Sequence, residues 1–369
     1  MPRKFLKHSE PLVTTSRRTK NVGEWSEVYA LAYLLAKGGG FAADGNQEVD
    51  PSIFYKILEA LFRKQSDGFD LCYKIGKDNV IILIDNVVKG SVKRRDLDRL
   101  AKSLHGDLLI PQTGRAFSLA TGDVILKSLL KENVSAPSTS YNDIYLSLED
   151  IGTKSPTPFI GFSIKSHLSG KSTLLNATSA TNFLFQIVAK GKKVSGPIPE
   201  FGSKLKSDMQ ELVRRGYTLK FIKVDHPTHQ QNMNLVDSKL AEYLSRCLFE
   251  TTQQPNNHFS RIVETVYPPN NSENKAVLLK LKQYLGYVML GMSPTKPWSG
   301  QPNDFGGLIM VKPSGDVLFY YLYNMADFQD FLYKNLKFEY GSRERHKFGK
   351  PFIEGDKTFI KLNLQLRFV

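Results

Sequence analysis

The chain has 369 residues, a formal net charge of +14 and an apolar fraction of 41%, enough to bury one large core or two smaller ones. No run of about 18 apolar residues occurs, which excludes a membrane-spanning helix, and the basic start Met1-Pro-Arg-Lys-Phe-Leu-Lys7 lacks the apolar segment of a secretory leader. A positive balance of this size favours a polyanionic partner, nucleic acid first, because phosphate contacts release counterions.

Residues 1–20 are basic and polar and stand apart as an N-terminal segment. Residues 22–37 are rich in helix formers, with Trp25, Val28, Leu31, Ala32 and Leu35 as an amphipathic stripe and Gly38-Gly-Gly40 as the stop. Glu24 and Glu27, three residues apart, share one side of this helix. Pro51 in a first-turn position predicts a second helix over 51–63. Residues 69–75 and 79–85 read as two strands about Gly76-Lys-Asp78, residues 92–104 as a basic amphipathic helix, and 120–132 as another helix. Cys72 and Cys247, far apart and without metal spacing, are expected as free thiols of a reducing cytoplasm.

Two stretches alternate with period two: Asp143-Ile-Tyr-Leu-Ser-Leu148 and Gly161-Phe-Ser-Ile-Lys-Ser166. In the first, Ile144, Leu146 and Leu148 point one way and Asp143, Tyr145 and Ser147 the other. In the second, Phe162 and Ile164 point inward, leaving Ser163 and Lys165 on the opposite face. Paired, these strands set an acid beside a lysine at the edge of an apolar core. Further on, helices are predicted from Ser179 to Lys190 and over 203–215, 235–252, 273–290 and 326–337. Residues 217–224 read as a strand, 308–323 as a hairpin turning at Pro313-Ser-Gly315, and 358–369 as a closing strand.

Cutting a phosphodiester requires a nucleophilic water and charge stabilisation at the phosphate, which Mg²⁺ held by carboxylates supplies with help from a nearby lysine. Asp143 and Lys165 fit those roles. In the common nuclease pattern an acid stands two residues before the lysine, and here that position is Ser163. A hydroxyl is a poor Mg²⁺ ligand, so another acid is expected to complete the site: Glu27 first, Glu24 in reserve, with Glu149 and Asp150 less suitable at the turn end of their strand. Taken alone, Glu24 and Glu27 are explained as helix N-terminal charges. His167, His226, His229 and His258 show no metal spacing and read as surface residues. Gly170-Lys-Ser172 lacks the first glycine of a phosphate-binding loop. A non-catalytic DNA-binding protein is the alternative, but no recognition-helix motif is present.

Five blocks occur in order: Gly23-Glu-Trp-Ser-Glu-Val-Tyr29, Asp143-Ile-Tyr-Leu146, Gly161-Phe-Ser-Ile-Lys-Ser166, Thr173-Leu-Leu-Asn-Ala-Thr178 and Thr181-Asn-Phe183. Arg345-His-Lys-Phe-Gly-Lys350 and Ile360-Lys-Leu-Asn-Leu-Gln-Leu-Arg367 follow. In these blocks the chain resembles the HpaII family of type II restriction endonucleases over nearly its whole length. The resemblance implies an α/β (α+β) fold of the PD-(D/E)XK kind, a mixed β-sheet flanked by helices. Residues 21–230 would form the nuclease core, and 231–369 a helical and β-hairpin elaboration packed on it that contributes to DNA binding. It also implies Mg²⁺-dependent cutting of double-stranded DNA at CCGG after the first C, leaving 5′-phosphates. A companion cytosine methyltransferase in a bacterial cytoplasm would belong to the same system. A palindrome suits a two-fold homodimer, with a monomer nicking each strand in turn left open.

Arg115, Lys171, Arg343, Arg345 and Lys347 are candidates for reading G·C pairs, whose major-groove acceptors suit Arg and Lys. The polar block Thr173, Asn176, Thr178, Thr181 and Asn182 follows the catalytic strand and is expected near the scissile phosphate or the adjacent bases. Turn and N-cap duty is the competing explanation for Asn176 and Thr178. Lys93, Arg94 and Arg95 are expected to touch phosphates or nothing.

Overall fold

Asn21 begins the first helix with a reciprocal cap. Its side chain accepts from the Glu24 N–H, and Glu24 accepts from the Asn21 N–H at 2.8 Å. The structure, a computed structural model, describes residues 18–369 apart from 45, 63–68, 113, 115, 132–141, 169–172, 192–193, 301–304 and 322–324. Arg115 and Lys171 therefore lie outside the described residues.

The elements run α1 (Val22–Lys37), β1 (Gly39–Ala43), β2 (Val49–Phe62), β3 (Leu71–Ile75), β4 (Asn79–Ile84), β5 (Val87–Lys93), α2 (Arg94–Leu109), α3 (Ala120–Ser128), β6 (Ile144–Leu148), β7 (Ile160–Ser166) and β8 (Thr173–Leu175). Then come β9 (Asn182–Ala189), α4 (Leu205–Arg214), β10 (Tyr217–Val224), α5 (Pro227–Val236), α6 (Leu240–Thr251), α7 (Phe259–Val266) and α8 (Ser272–Met289). The chain closes with β11 (Phe305–Val311), β12 (Val317–Tyr321), α9 (Met325–Asn335), β13 (Leu336–Glu339), α10 (Arg343–His346), β14 (Phe352–Glu354), β15 (Lys357–Asn363) and β16 (Gln365–Phe368).

Among the described residues the main sheet has nine strands in the order β1-β12-β11-β7-β6-β2-β3-β4-β5, and it curls on itself because β1 also pairs with β2. It is mixed: β11 runs parallel to β7, while β6 and β7 are antiparallel. One core packs α1, α2 and α3 on this sheet, around Trp25, Leu31, Leu104, Leu146 and Phe162. A second core joins α4 to α9 to the β10-β9-β15-β14 and β13-β16-β8 sheets. The large mixed sheet with flanking helices agrees with the restriction-endonuclease-like expectation. Residue 230 does not divide it: β11 and β12 lie beside β7 in the main sheet.

Four expectations give way. Helix α1 is buried on nearly every side instead of along a stripe. The helix predicted over 51–63 is the long strand β2, which pairs with β1 along its first half and with β6 and β3 along its second. Pairing on both edges outweighs the helix propensity of Lys56-Ile-Leu-Glu-Ala-Leu61. Pro51, with no N–H to donate, falls where the β1–β2 register shifts. The helix predicted from Ser179 to Lys190 is a 3₁₀ turn, Ser179–Thr181, followed by β9. Phe183, Phe185 and Ile187 are buried at period two, and β9 is paired on both edges by β10 and β15. The closing strand breaks at Leu364 into β15 and β16, which belong to different sheets.

Candidate active site

Strands β6 and β7 pair as their alternation requires, with Ile144 opposite Phe162, so Asp143 arrives beside Ser163. The Asp143 N–H donates to the Phe162 carbonyl at 2.9 Å, fixing the backbone at the head of β6. Its carboxylate Oδ2 then accepts from the Ile164 N–H at 2.6 Å and from Ser163 Oγ at 3.1 Å. Ser163 is buried, and where a carboxylate was the common pattern it orients one instead. Gly161 leaves the room this requires: a Cβ there would overlap the buried Asn142 side chain, next to Asp143. Lys165, on the same face of β7 as Ser163, is half-buried.

Helix α1 brings Glu27 to this corner. Burial first, and then the Asp143 charge, pushes its carboxyl up from 4.5 to about 8, while Lys165 and Lys20 oppose the shift. Its Oε2 is buried without a hydrogen-bond partner. Two carboxylates and a lysine thus converge from three separate segments. Glu24 raises the Glu27 pKa as well but is spent on the helix cap.

Two cations near Glu27 escaped the sequence reading. Lys20 is buried on a short bridge to Phe117, and buried Lys131 follows α3. Burial pushes the Lys131 ammonium down to about 7, against the pull of Glu27. It lies 3.5 Å from the centroid of the Phe62 ring. A basic tail and a helix end carry no sequence signal for such a position. Glu149 and Asp150 are occupied elsewhere: Glu149 pairs with Lys56 at 2.6 Å, and Asp150 caps its own turn through Gly152 and Thr153.

An open groove of about 330 Å³ has Ser163 and Lys165 at its floor. Thr173, Asn176 and Thr178 of the polar block line one wall, and Val288, Met289 and residues 291–295 line the other. The rest of the polar block turns inward. Thr181 and Asn182 are buried, and the Asn363 amide reaches Thr181 Oγ1, the Thr178 carbonyl and Asn182 Oδ1 at 2.7–3.0 Å. Asn182 in turn donates to the His346 carbonyl at 2.9 Å, which ties α10 to this wall. Arg345 and Lys347 are exposed on and just after α10. Arg343 is instead an internal clamp, donating to the Gly202 and Gly349 carbonyls.

Arg94 is a clamp too. It donates to the Ala36 carbonyl at the end of α1 and to the Gly76 and Lys77 carbonyls, while Lys93 and Arg95 stay exposed. His229, read as surface, is buried: Nδ1 contacts the Ala180 carbonyl at 3.0 Å, and burial pushes its pKa down to about 4. Cys72 and Cys247 are free and buried.

The donor set suits a hard cation: carboxylate oxygens, one of them buried and unbonded. Among the described residues no group of three or more His, Cys, Asp and Glu side chains is placed to hold a metal. Two carboxylates are nonetheless the usual protein share for Mg²⁺, which keeps several waters and takes oxygens from a bound phosphate.

A mixed sheet whose central strands β6 and β7 present Asp143 and Lys165, with Glu27 added from a flanking helix in a basic protein, is the construction of nucleases that hydrolyse nucleic-acid phosphodiesters. The particular kind follows from comparison. The family model for HpaII restriction endonuclease matches residues 21–368, and the chain belongs to that family of type II site-specific deoxyribonucleases. It is 35% identical over 358 residues to the type II restriction enzyme HpaII of Haemophilus parainfluenzae, covering 95% of this chain and 98% of that one. No solved structure matches the chain.

Proposed function

We propose that this endonuclease cuts both strands of CCGG sites after the first C, in a Mg²⁺-dependent reaction that leaves 5′-phosphates. The observation that carries the site assignment is Glu27, whose buried Oε2 has no hydrogen-bond partner and whose carboxyl is raised first by burial and then by the Asp143 charge, with Lys165 opposing. Glu27 and Asp143 would hold the ion. When bound, Mg²⁺ neutralises charge at the phosphate and acidifies a coordinated water.

The remaining work falls to the chain. Ser163 and the Ile164 N–H hold the Asp143 carboxylate in one orientation. The Lys165 ammonium donates toward the attacking water and the phosphate oxygens, where negative charge grows in the transition state. Water oxygen bonds to phosphorus as the bond to O3′ breaks, so the 3′ side leaves as a hydroxyl and the phosphate stays on the 5′ end. Thr173, Asn176 and Thr178 face the duplex from one wall, while Arg345 and Lys347 supply charge for its backbone. A palindromic site suits a homodimer. A companion cytosine methyltransferase protecting the same site, in a bacterial cytoplasm, completes the reading.

Purified Asp143→Ala and Lys165→Ala are expected to lose plasmid cutting in Mg²⁺ while retaining binding to a CCGG duplex in Ca²⁺. Cutting by both variants at wild-type rates would sink the site assignment. Fragment ends at sequences other than CCGG would sink the specificity alone.

A further inference from the structure

The second groove wall, built by residues 288–295, belongs to no motif in the sequence, yet it is mounted at both ends. At its start, α8 closes with a left-handed Gly291 (φ +99°). The Gly291 N–H donates to the Val288 carbonyl at 3.2 Å, and the Met292 N–H to the Tyr287 carbonyl at 2.8 Å. This paired arrangement satisfies the last carbonyls of the helix and fixes the direction in which the chain leaves it. At the far end, buried Asn232 on α5 donates to the carbonyls of Ser293 and Lys296, both at 2.8 Å, and accepts from the Trp298 N–H at 3.0 Å. The Trp298 ring packs on Tyr287 at 4.7 Å between centroids, closing the loop back onto α8.

Helix α5 also sets the other wall. One turn before Asn232, His229 contacts the carbonyl of Ala180, in the turn that Thr178 caps. A single helix thus fixes the spacing of Asn176 and Thr178 on one side from Ser293 and Thr295 on the other. The loop is mostly apolar and offers two hydroxyls, Ser293 and Thr295, which are held together where the Ser293 Oγ accepts from the Thr295 N–H at 3.3 Å. Rigid mounting of such a pair facing a reactive floor is the construction expected of a recognition element, since ordering costs are met before the substrate binds.

The lining chemistry says what is recognised. Among the described residues Lys165 is the charged member of the groove lining; the walls are apolar apart from the hydroxyls and amide of Thr173, Asn176, Thr178, Ser293 and Thr295. Such hydroxyl and amide groups can read base edges, whereas grip on the backbone comes mainly from cations, of which Lys165 is the one in this groove among the described residues. Resting on the nuclease reading of this site, we infer that Ser293 and Thr295 are specificity-determining residues that contact the base pair beside the cut bond. Asn232 acts through them as a positioning residue.

The test is cleavage of a duplex pool randomised over its central base pairs, with the product ends sequenced. Wild-type protein defines the preferred site, whatever that site is. The Ser293→Ala/Thr295→Ala double variant should still cut, with discrimination at one base-pair position reduced about tenfold or more and the salt dependence of binding unchanged. Asn232→Asp keeps the acceptor for Trp298 but turns the donor toward two carbonyls into an oxygen. It should blur the same position with both hydroxyls present. Undiminished discrimination in the double variant overturns the inference, as does a loss of cutting equal at all sequences. A wild-type protein that cuts nowhere in the pool overturns the nuclease reading, and this inference with it.

Discussion

Replacing Glu27 by Gln should stabilise the metal-free protein while removing its activity. Below pH 4.5 this carboxyl is protonated in the folded and the unfolded chain alike. Between 4.5 and about 8 only the folded chain keeps the proton, because burial and Asp143 disfavour the charge. A raised folded-state value means stability present at low pH and lost as pH rises through that window, by about 1.4 kcal/mol per pH unit. At pH 7 the accumulated cost is about 3 kcal/mol, and solvent relaxation around a half-buried group trims it to roughly 1–2 kcal/mol. Gln carries no charge and escapes this cost. Urea unfolding in EDTA should therefore show Glu27→Gln more stable than wild type at pH 7 and indistinguishable near pH 4.5. Mg²⁺ should narrow the gap by stabilising wild type alone. Cutting should fall on the order of a hundredfold or more, since the ion loses a charged ligand. Equal stability of the two proteins at pH 7 would refute the reasoning, because Glu27 would then not be a desolvated acid facing Asp143.

Three further outcomes follow from named contacts. His229, held down to about 4 against an ordinary 6.5, contributes stability that is complete above pH 6.5 and is lost as pH falls toward 4. The loss is about 3 kcal/mol; His229→Gln should flatten the acid limb of the urea midpoint, and an unchanged limb refutes it. Gly161→Ala should push Asn142 aside and cut activity tenfold or more at a stability cost of about 1–3 kcal/mol; full activity would show that this close approach has no bearing on Asp143. Arg94→Ala should lose about 1–3 kcal/mol of stability through its three carbonyl contacts. Its effect on the salt slope of DNA binding should be nil, and a slope reduced by about one would make Arg94 a phosphate contact instead.

Strands β6 and β7 were legible because a half-buried strand writes its two faces into the sequence: Phe162 and Ile164 alternate with Ser163 and Lys165. Helix α1 was legible from its helix-forming residues and its glycine stop. Strands β2 and β9 were not, because Leu58, Glu59 and Leu61, or Gln186 and Ala189, carry helix propensity that sheet pairing on both edges overrides. Asn182 suggested a DNA contact for the same reason it serves as a buried tie: an amide can serve a base edge or the Asn363 amide and the His346 carbonyl, and only the partner decides. The wall at residues 288–295 was invisible for a different reason. Its definition depends on Asn232, some 60 residues earlier, through hydrogen bonds that no local pattern encodes.

The same contacts explain why a serine can stand where related chemistry favours an acid, and they make that explanation testable. Ser163 Oγ lies 3.1 Å from Asp143 Oδ2. A carboxylate at 163 would press against Asp143 while Glu27 faces the same corner, leaving three acids in one partly desolvated site with Lys165 as their nearest counter-charge. Ser163→Asp in the wild-type background should therefore lower activity instead of restoring a familiar pattern. With Glu27 neutralised the sign should reverse, because the new carboxylate could hold the ion from β7 in place of the one lost from α1. The Ser163→Asp/Glu27→Gln protein should cut at least tenfold faster than Glu27→Gln alone, a coupling of about 1.4 kcal/mol or more. Single-turnover cleavage of one plasmid at saturating Mg²⁺ measures all four proteins. A double variant no faster than Glu27→Gln would mean that the two positions are not alternative holders of one ion, and the role of Glu27 would then have to be sought in the charge it shares with Lys20 and Lys131.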